Sequence, residues 1–78
     1  MAQREPEITA TERKLFKAIL ILSDTNIKNW SILNFYRPQF IRQVLINDRT
    51  SNYARLLIRK FIADNSYKLN TRLFNLNT

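Results

Sequence analysis

Apolar positions recur every three or four residues along most of this chain, and short polar stretches interrupt the beat. The first stretch runs from Thr9 to about Ser23. Leu15, Phe16, Ile19 and Leu22 fall on one side of a helix there, and Ala18, Leu20 and Ile21 widen that side. "TATE", from Thr9 to Glu12, has the spacing of a capping box. "SDTN", residues 23–26, stops this helix and caps the next. The second helix covers about Ile27 to Leu33, with Ile27, Trp30 and Leu33 inward. Asn34 is the candidate left-handed residue after it, because the chain has no glycine. Pro38 then suits the first turn of a third helix, where its missing N–H costs nothing.

That third helix runs from about Pro38 to Ile46. Phe40, Ile41, Val44 and Leu45 make one apolar stripe, and Gln39, Arg42 and Gln43 fall opposite, with Ile46 among them. "NDRTSN", residues 47–52, is turn chemistry. A fourth helix follows over about Asn52 to Ala63, capped by Ser51 or Asn52. Tyr53, Leu57 and Phe61, with Leu56 and Ile62, are expected inward; Arg55, Arg59 and Lys60 are expected outside or at the rim. In the tail, residues 66–78, Tyr67, Leu69, Thr71 and Leu73 alternate with polar residues, which favours a strand, while Phe74 and Leu76 break the phase. Residues 1–8 read as a flexible lead. The pattern thus predicts an all-α fold: a compact four-helix domain over residues 9–65 with a helix-turn-helix, followed by a C-terminal extension that is a β-strand or a short helix.

Composition narrows the chemistry. A chain of 78 residues makes one small domain with a limited core. With no cysteine and no histidine, disulfides, thiolate or imidazole zinc sites, Ser-His-Asp triads and cysteine nucleophiles are excluded. Without glycine there is no Gly-rich phosphate loop. The carboxylates are scattered. The expectation is a protein that is not an enzyme and takes no cofactor, metal or small-molecule substrate. The longest apolar run is "AILIL", residues 18–22, far short of the roughly 20 residues that a membrane span needs. The first residues lack the apolar stretch of a signal peptide. A soluble, cytoplasmic protein with no membrane partner is expected.

Charge points to a partner. The net charge is +7, but residues 1–12 set Arg4 against Glu5, Glu7 and Glu12, so the body beyond them is more basic still. A basic body favours a polyanion, most simply double-stranded DNA; a solvated helical surface is the plainer reading.

Residues 27–46 give this charge a shape. A helix-turn-helix needs a small residue where its helices meet, and Ser31 is small. It needs apolar residues three or four apart on its second helix, and Ile41 and Val44 supply them. The outward side of that helix enters the major groove. Glutamine can grip adenine through N6 and N7, and arginine can grip guanine through O6 and N7. Gln39, Arg42 and Gln43 are therefore the candidate base readers, with Lys28, Arg37 and Arg49 as candidate phosphate contacts. Trp30 fits a core position better than a stacking platform.

The stretch "IKNWSILNFYRPQFIRQVLINDRTSNYARLLIRKFIAD", residues 27–64, resembles the small phage regulators of the lambda-repressor-like, or XRE/Cro, class. Trp30-Ser31 in the second helix, and Val44-Leu45 with Asn47 at the end of the third, carry the resemblance. It departs in the turn, where the class usually has glycine and this chain has Phe35: either Asn34 turns left-handed one position early, or the turn differs. The resemblance implies a compact helical DNA-binding domain, usually dimeric, acting as a repressor or as an excisionase-like recombination accessory factor. Cro-type repressors dimerise through a C-terminal strand, and Tyr67, Leu69, Leu73, Phe74 and Leu76 are the candidate dimerisation residues here. A small protein-binding inhibitor or adaptor is the competing function. RNA binding ranks lower, because the aromatic residues sit mostly at core positions.

Overall fold

In a computed structural model, the backbone is described for residues 4–76 and the side chains for residues 4–69. Four helices follow one another: α1 (Ala10–Leu22), α2 (Ile27–Leu33), α3 (Pro38–Leu45) and α4 (Asn52–Leu76). The described residues form no strand.

Local chemistry sets most of the boundaries. The capping box forms at α1: Thr9 Oγ1 accepts from the Glu12 N–H at 3.1 Å, and the Thr9 N–H donates to Glu12 Oε1 at 3.0 Å. Asn26 caps α2, its Oδ1 accepting from the Asn29 N–H at 2.8 Å. Pro38 opens α3, where no N–H is required of it. Ser51 Oγ accepts from the Ala54 N–H at 3.1 Å and starts α4. The turn before α3 differs from expectation. Asn34 stays right-handed at φ −100°. Phe35 takes the left-handed conformation at φ 64°, at the position where the resembled class has glycine.

The core lies among all four helices. Phe16, Ile19 and Leu20 of α1, Trp30 of α2, Ile41, Val44 and Leu45 of α3, and Ala54 and Ile58 of α4 are buried. Phe16, Trp30 and Phe61 meet edge to face, with ring centroids 4.9, 5.5 and 5.6 Å apart. Such pairs add roughly 0.5–1.5 kcal/mol each beyond burial. Ser31 is fully buried, and its Oγ donates to the Ile27 carbonyl at 2.6 Å, so this small side chain is enclosed without an unpaired hydroxyl. α1 and α4 make the most extensive helix pair and run in the same direction. Arg59 meets Glu12 near their starts, and Lys68 Nζ donates to Ser23 Oγ at 2.8 Å beyond the end of α1.

Three expectations are corrected, and one open alternative is decided. Leu33 is exposed instead of inward. The inward side of α4 is Ala54, Arg55 and Ile58, with Leu57, Phe61 and Ile62 packed beside them, whereas Tyr53 and Leu56 face out. Of the two forms expected for the extension, the helix is the one found: α4 continues without a break to Leu76. A lone strand would leave its ladder groups unpaired, and continuing the helix satisfies them within the segment. Finally, residues 5–8 lie as a strap across the start of α4. Ile8 is buried in the core, and Asn47 binds its backbone twice, Oδ1 accepting from the Ile8 N–H and Nδ2 donating to the Ile8 carbonyl, both at 2.8 Å.

Candidate nucleic-acid interface

α3 divides its residues cleanly. Ile41, Val44 and Leu45 are buried, while Gln39 and Arg42 are exposed and Gln43 is half-buried. Packing of the apolar side holds the polar side outward, so the presented face is fixed by the core and not by its own contacts. Gln43 is partly committed: its Oε1 accepts from Arg49 Nε at 3.2 Å, and its carbonyl accepts from the N–H groups of Asp48 and Arg49. Its side-chain amide N–H₂ is left as the group for an outside acceptor. Ile46 is exposed beside Arg42 and Gln43 and adds an apolar edge to this face.

The candidate phosphate contacts fall in three places. Arg37 is exposed at the N-cap of α3 and makes no side-chain cap bond. Arg49 is exposed just beyond the other end, joined to Gln43. Lys28 lies on α2 and shares a groove with Arg42. That groove has a volume of about 470 Å³ and a floor that includes Leu20, Ile21 and Ile27; Lys17 of α1 is its third cation. Lys17 is a phosphate contact only if it flanks α3, and the sequence alone does not place it there, because its approach to α2 and α3 depends on how α1 packs. Among the described residues none of these cations makes an ion pair; both recorded pairs belong to Arg59. Three cations surround one groove and two more flank α3, none of them in an ion pair among the described residues, which gathers positive charge on this side.

The candidate dimerisation residues are only partly brought together. Tyr67 is exposed and Leu69 half-buried on α4; the side chains of Leu73, Phe74 and Leu76 lie outside the described residues. Among the described residues no three His, Cys, Asp or Glu side chains are grouped to hold a metal ion, and no helix is long and apolar enough to cross a membrane.

Sequence reasoning also missed Arg55, which is 3 % exposed. Its Nη1 donates to the Glu5 carbonyl at 2.9 Å and its Nη2 to Asn47 Oδ1 at 3.4 Å, while Nε has no partner. Arg55 is a buried clamp for the strap. Asn47 carried a signal: an asparagine just after a helix is suited to a left-handed exit, and Asn47 sits at φ 64°. Compared with protein-family models, curated proteins and solved structures, the chain matches none.

Proposed function

We propose that this protein is a sequence-specific DNA-binding regulator, a repressor working as a homodimer, that inserts α3 into the major groove. The observation that carries the reading is the division of α3: a buried apolar side that fixes it on α2, and an outward side of Gln39, Arg42 and Gln43 set among unpaired cations. Arg42 grips guanine through O6 and N7, and Gln39 grips adenine through N6 and N7. Gln43, with its oxygen held by Arg49, donates from its amide nitrogen. Lys28 and Lys17 hold phosphates on one side, Arg37 and Arg49 at the two ends of α3. A dimer would set two copies of α3 on half-sites about one DNA turn apart. Occupying a promoter blocks polymerase; an excisionase-like role would use the same surface to bend DNA for a recombinase.

Selection of bound sites from a random DNA pool tests this reading, and a recovered consensus supports it. On the selected site, Arg42→Ala costs about 1–3 kcal/mol of affinity with the fold intact. Equal loss on random DNA makes Arg42 a phosphate contact only. No binding at low salt removes the DNA reading. The adaptor reading is kept by one observation: Ile32, Leu33 and Phe35 stand exposed together at the α2–α3 turn, an apolar patch that DNA has no use for.

A further inference from the structure

α4 has a second apolar side. Tyr53, Leu56, Lys60, Ala63 and Tyr67 follow one another at alternating spacings of three and four, and all five are exposed. Tyr53 is 69 % exposed, Leu56 52 % and Tyr67 60 %. This is the seam of a two-helix coiled coil, and it points away from the core that Ala54 and Ile58 fill. Tyr53, Leu56, Leu57 and Lys60 also surround a hollow of about 300 Å³ on this side. Residues at i, i+3, i+4 and i+7 are the four that make the hole for a knob from a facing helix.

We propose that two copies of this chain pair through this side of α4, antiparallel, about a two-fold axis at the level of residues 61 and 62. In this register Tyr67 of the partner subunit enters the hollow between Tyr53, Leu56, Leu57 and Lys60, and the symmetric contact is made in return. The same register sets Lys60 of each copy against Asp64 of the other. Both residues are exposed, and among the described residues neither makes an ion pair within its own chain. A parallel pair would set Lys60 against Lys60 and Asp64 against Asp64. Charge complementarity therefore favours the antiparallel arrangement, and the hollow fixes its register. The seam spans about 21 Å, close to four turns of helix. The inference rests on the homodimer of the proposed function and is independent of DNA binding. It moves the interface from the extreme tail to the outer side of α4.

Sedimentation equilibrium of the full chain, without DNA, tests it. The wild type is expected to dimerise below 100 µM. Leu56→Glu is expected to weaken association at least tenfold while circular dichroism stays unchanged. Lys60→Asp and Asp64→Lys should each weaken it, and the double swap should restore it; these residues are exposed, so folding is spared. The chain has no cysteine, so single-cysteine variants report the register under a copper–phenanthroline oxidant, which takes the two electrons of the disulfide. Ala63→Cys should cross-link to its own copy and Tyr53→Cys should not; a parallel pair would cross-link both. A dimer indifferent to Leu56→Glu and to the charge swap overturns this interface and leaves the homodimer standing. A wild type that stays monomeric at 100 µM overturns both, while DNA binding is read separately on the monomer.

Discussion

Asp24, Phe35 and Asn47 hold left-handed backbone in a chain without glycine. For asparagine and aspartate this is tolerable, because their short polar side chains suit the conformation. Phe35 has no such excuse. Its Cβ costs roughly 1–2 kcal/mol there, and at 96 % exposure its ring recovers nothing from the core. Phe35→Gly removes that cost and adds some freedom to the unfolded chain, worth roughly 0.4–1 kcal/mol the other way. The substitution should stabilise the fold by about 0.5–1 kcal/mol, read as a higher urea midpoint with an unchanged slope. A lower midpoint would show that the ring makes a stabilising contact. The expectation that Asn34 would make this turn rested on residue preference alone. What decides the position is geometry: Trp30 and Ser31 must stay buried and Pro38 must open α3, and the reversal between them falls on Phe35. Capping at Thr9 and the helix start at Pro38 were legible because both depend on neighbours within three residues.

At the scale of elements, the strap is the addition that periodicity did not reveal. Its anchor is Arg59, which donates to Glu12 Oε2 at 2.7 Å, to Glu5 Oε1 at 3.2 Å and to the carbonyls of Pro6 and Glu7. The Arg59 hydrogen bond holds the Glu12 carboxyl down to about 2 from its ordinary 4.5, with the Thr9 backbone and the Arg59 charge adding to it against the effect of burial. A depressed carboxylate contributes stability that is fully present above its unfolded value and lost as pH falls through its folded value. The loss here therefore runs from about pH 4.5 down to about pH 2. Allowing for solvent screening, it amounts to about 1–2 kcal/mol. Glu12→Gln keeps the capping-box acceptor and removes the charge. Urea unfolding should find this variant weaker by that amount at pH 7 and level with the wild type near pH 2. A gap that stays constant with pH would assign the effect to packing. The apolar phase of α4 was misread for a related reason. A helix with apolar residues on two sides offers two inward stripes, and only the neighbours choose. Ala54 and Ile58 face α1 and α3; Tyr53 and Leu56 were left for outside. Alternation at Tyr67, Leu69 and Thr71 suggested a strand because a two-residue beat over so few positions also fits two sides of a helix.

Over the whole molecule, charge is segregated. Glu5 and Glu12 are bound to Arg59 on the strap side. Lys17, Lys28 and Arg42 surround the groove at α1, α2 and α3, and Arg37 and Arg49 flank α3, none of them paired among the described residues. A surface that meets about 4–8 phosphates should lose DNA affinity steeply with salt, the log–log slope falling by about 0.9 per contact. Fluorescence anisotropy between 50 and 300 mM salt checks it, and a flat response would remove the polyanion partner. The four-helix order and the outward side of α3 were legible because each follows from one repeated spacing. The cationic groove was not, because it is assembled from three helices. The strap has one more consequence, for the order in which the chain takes shape. Its bonds join residues 39 to 54 positions apart, Ile8 to Asn47 and Arg59 to Glu5 among them. On the ribosome α1 can wind as soon as it emerges, but Ile8 stays uncovered until the start of α4 has left the exit tunnel. The strap is made before α1, yet its bonds to α4 close only once α1, α2, α3 and the first turns of α4 have all emerged.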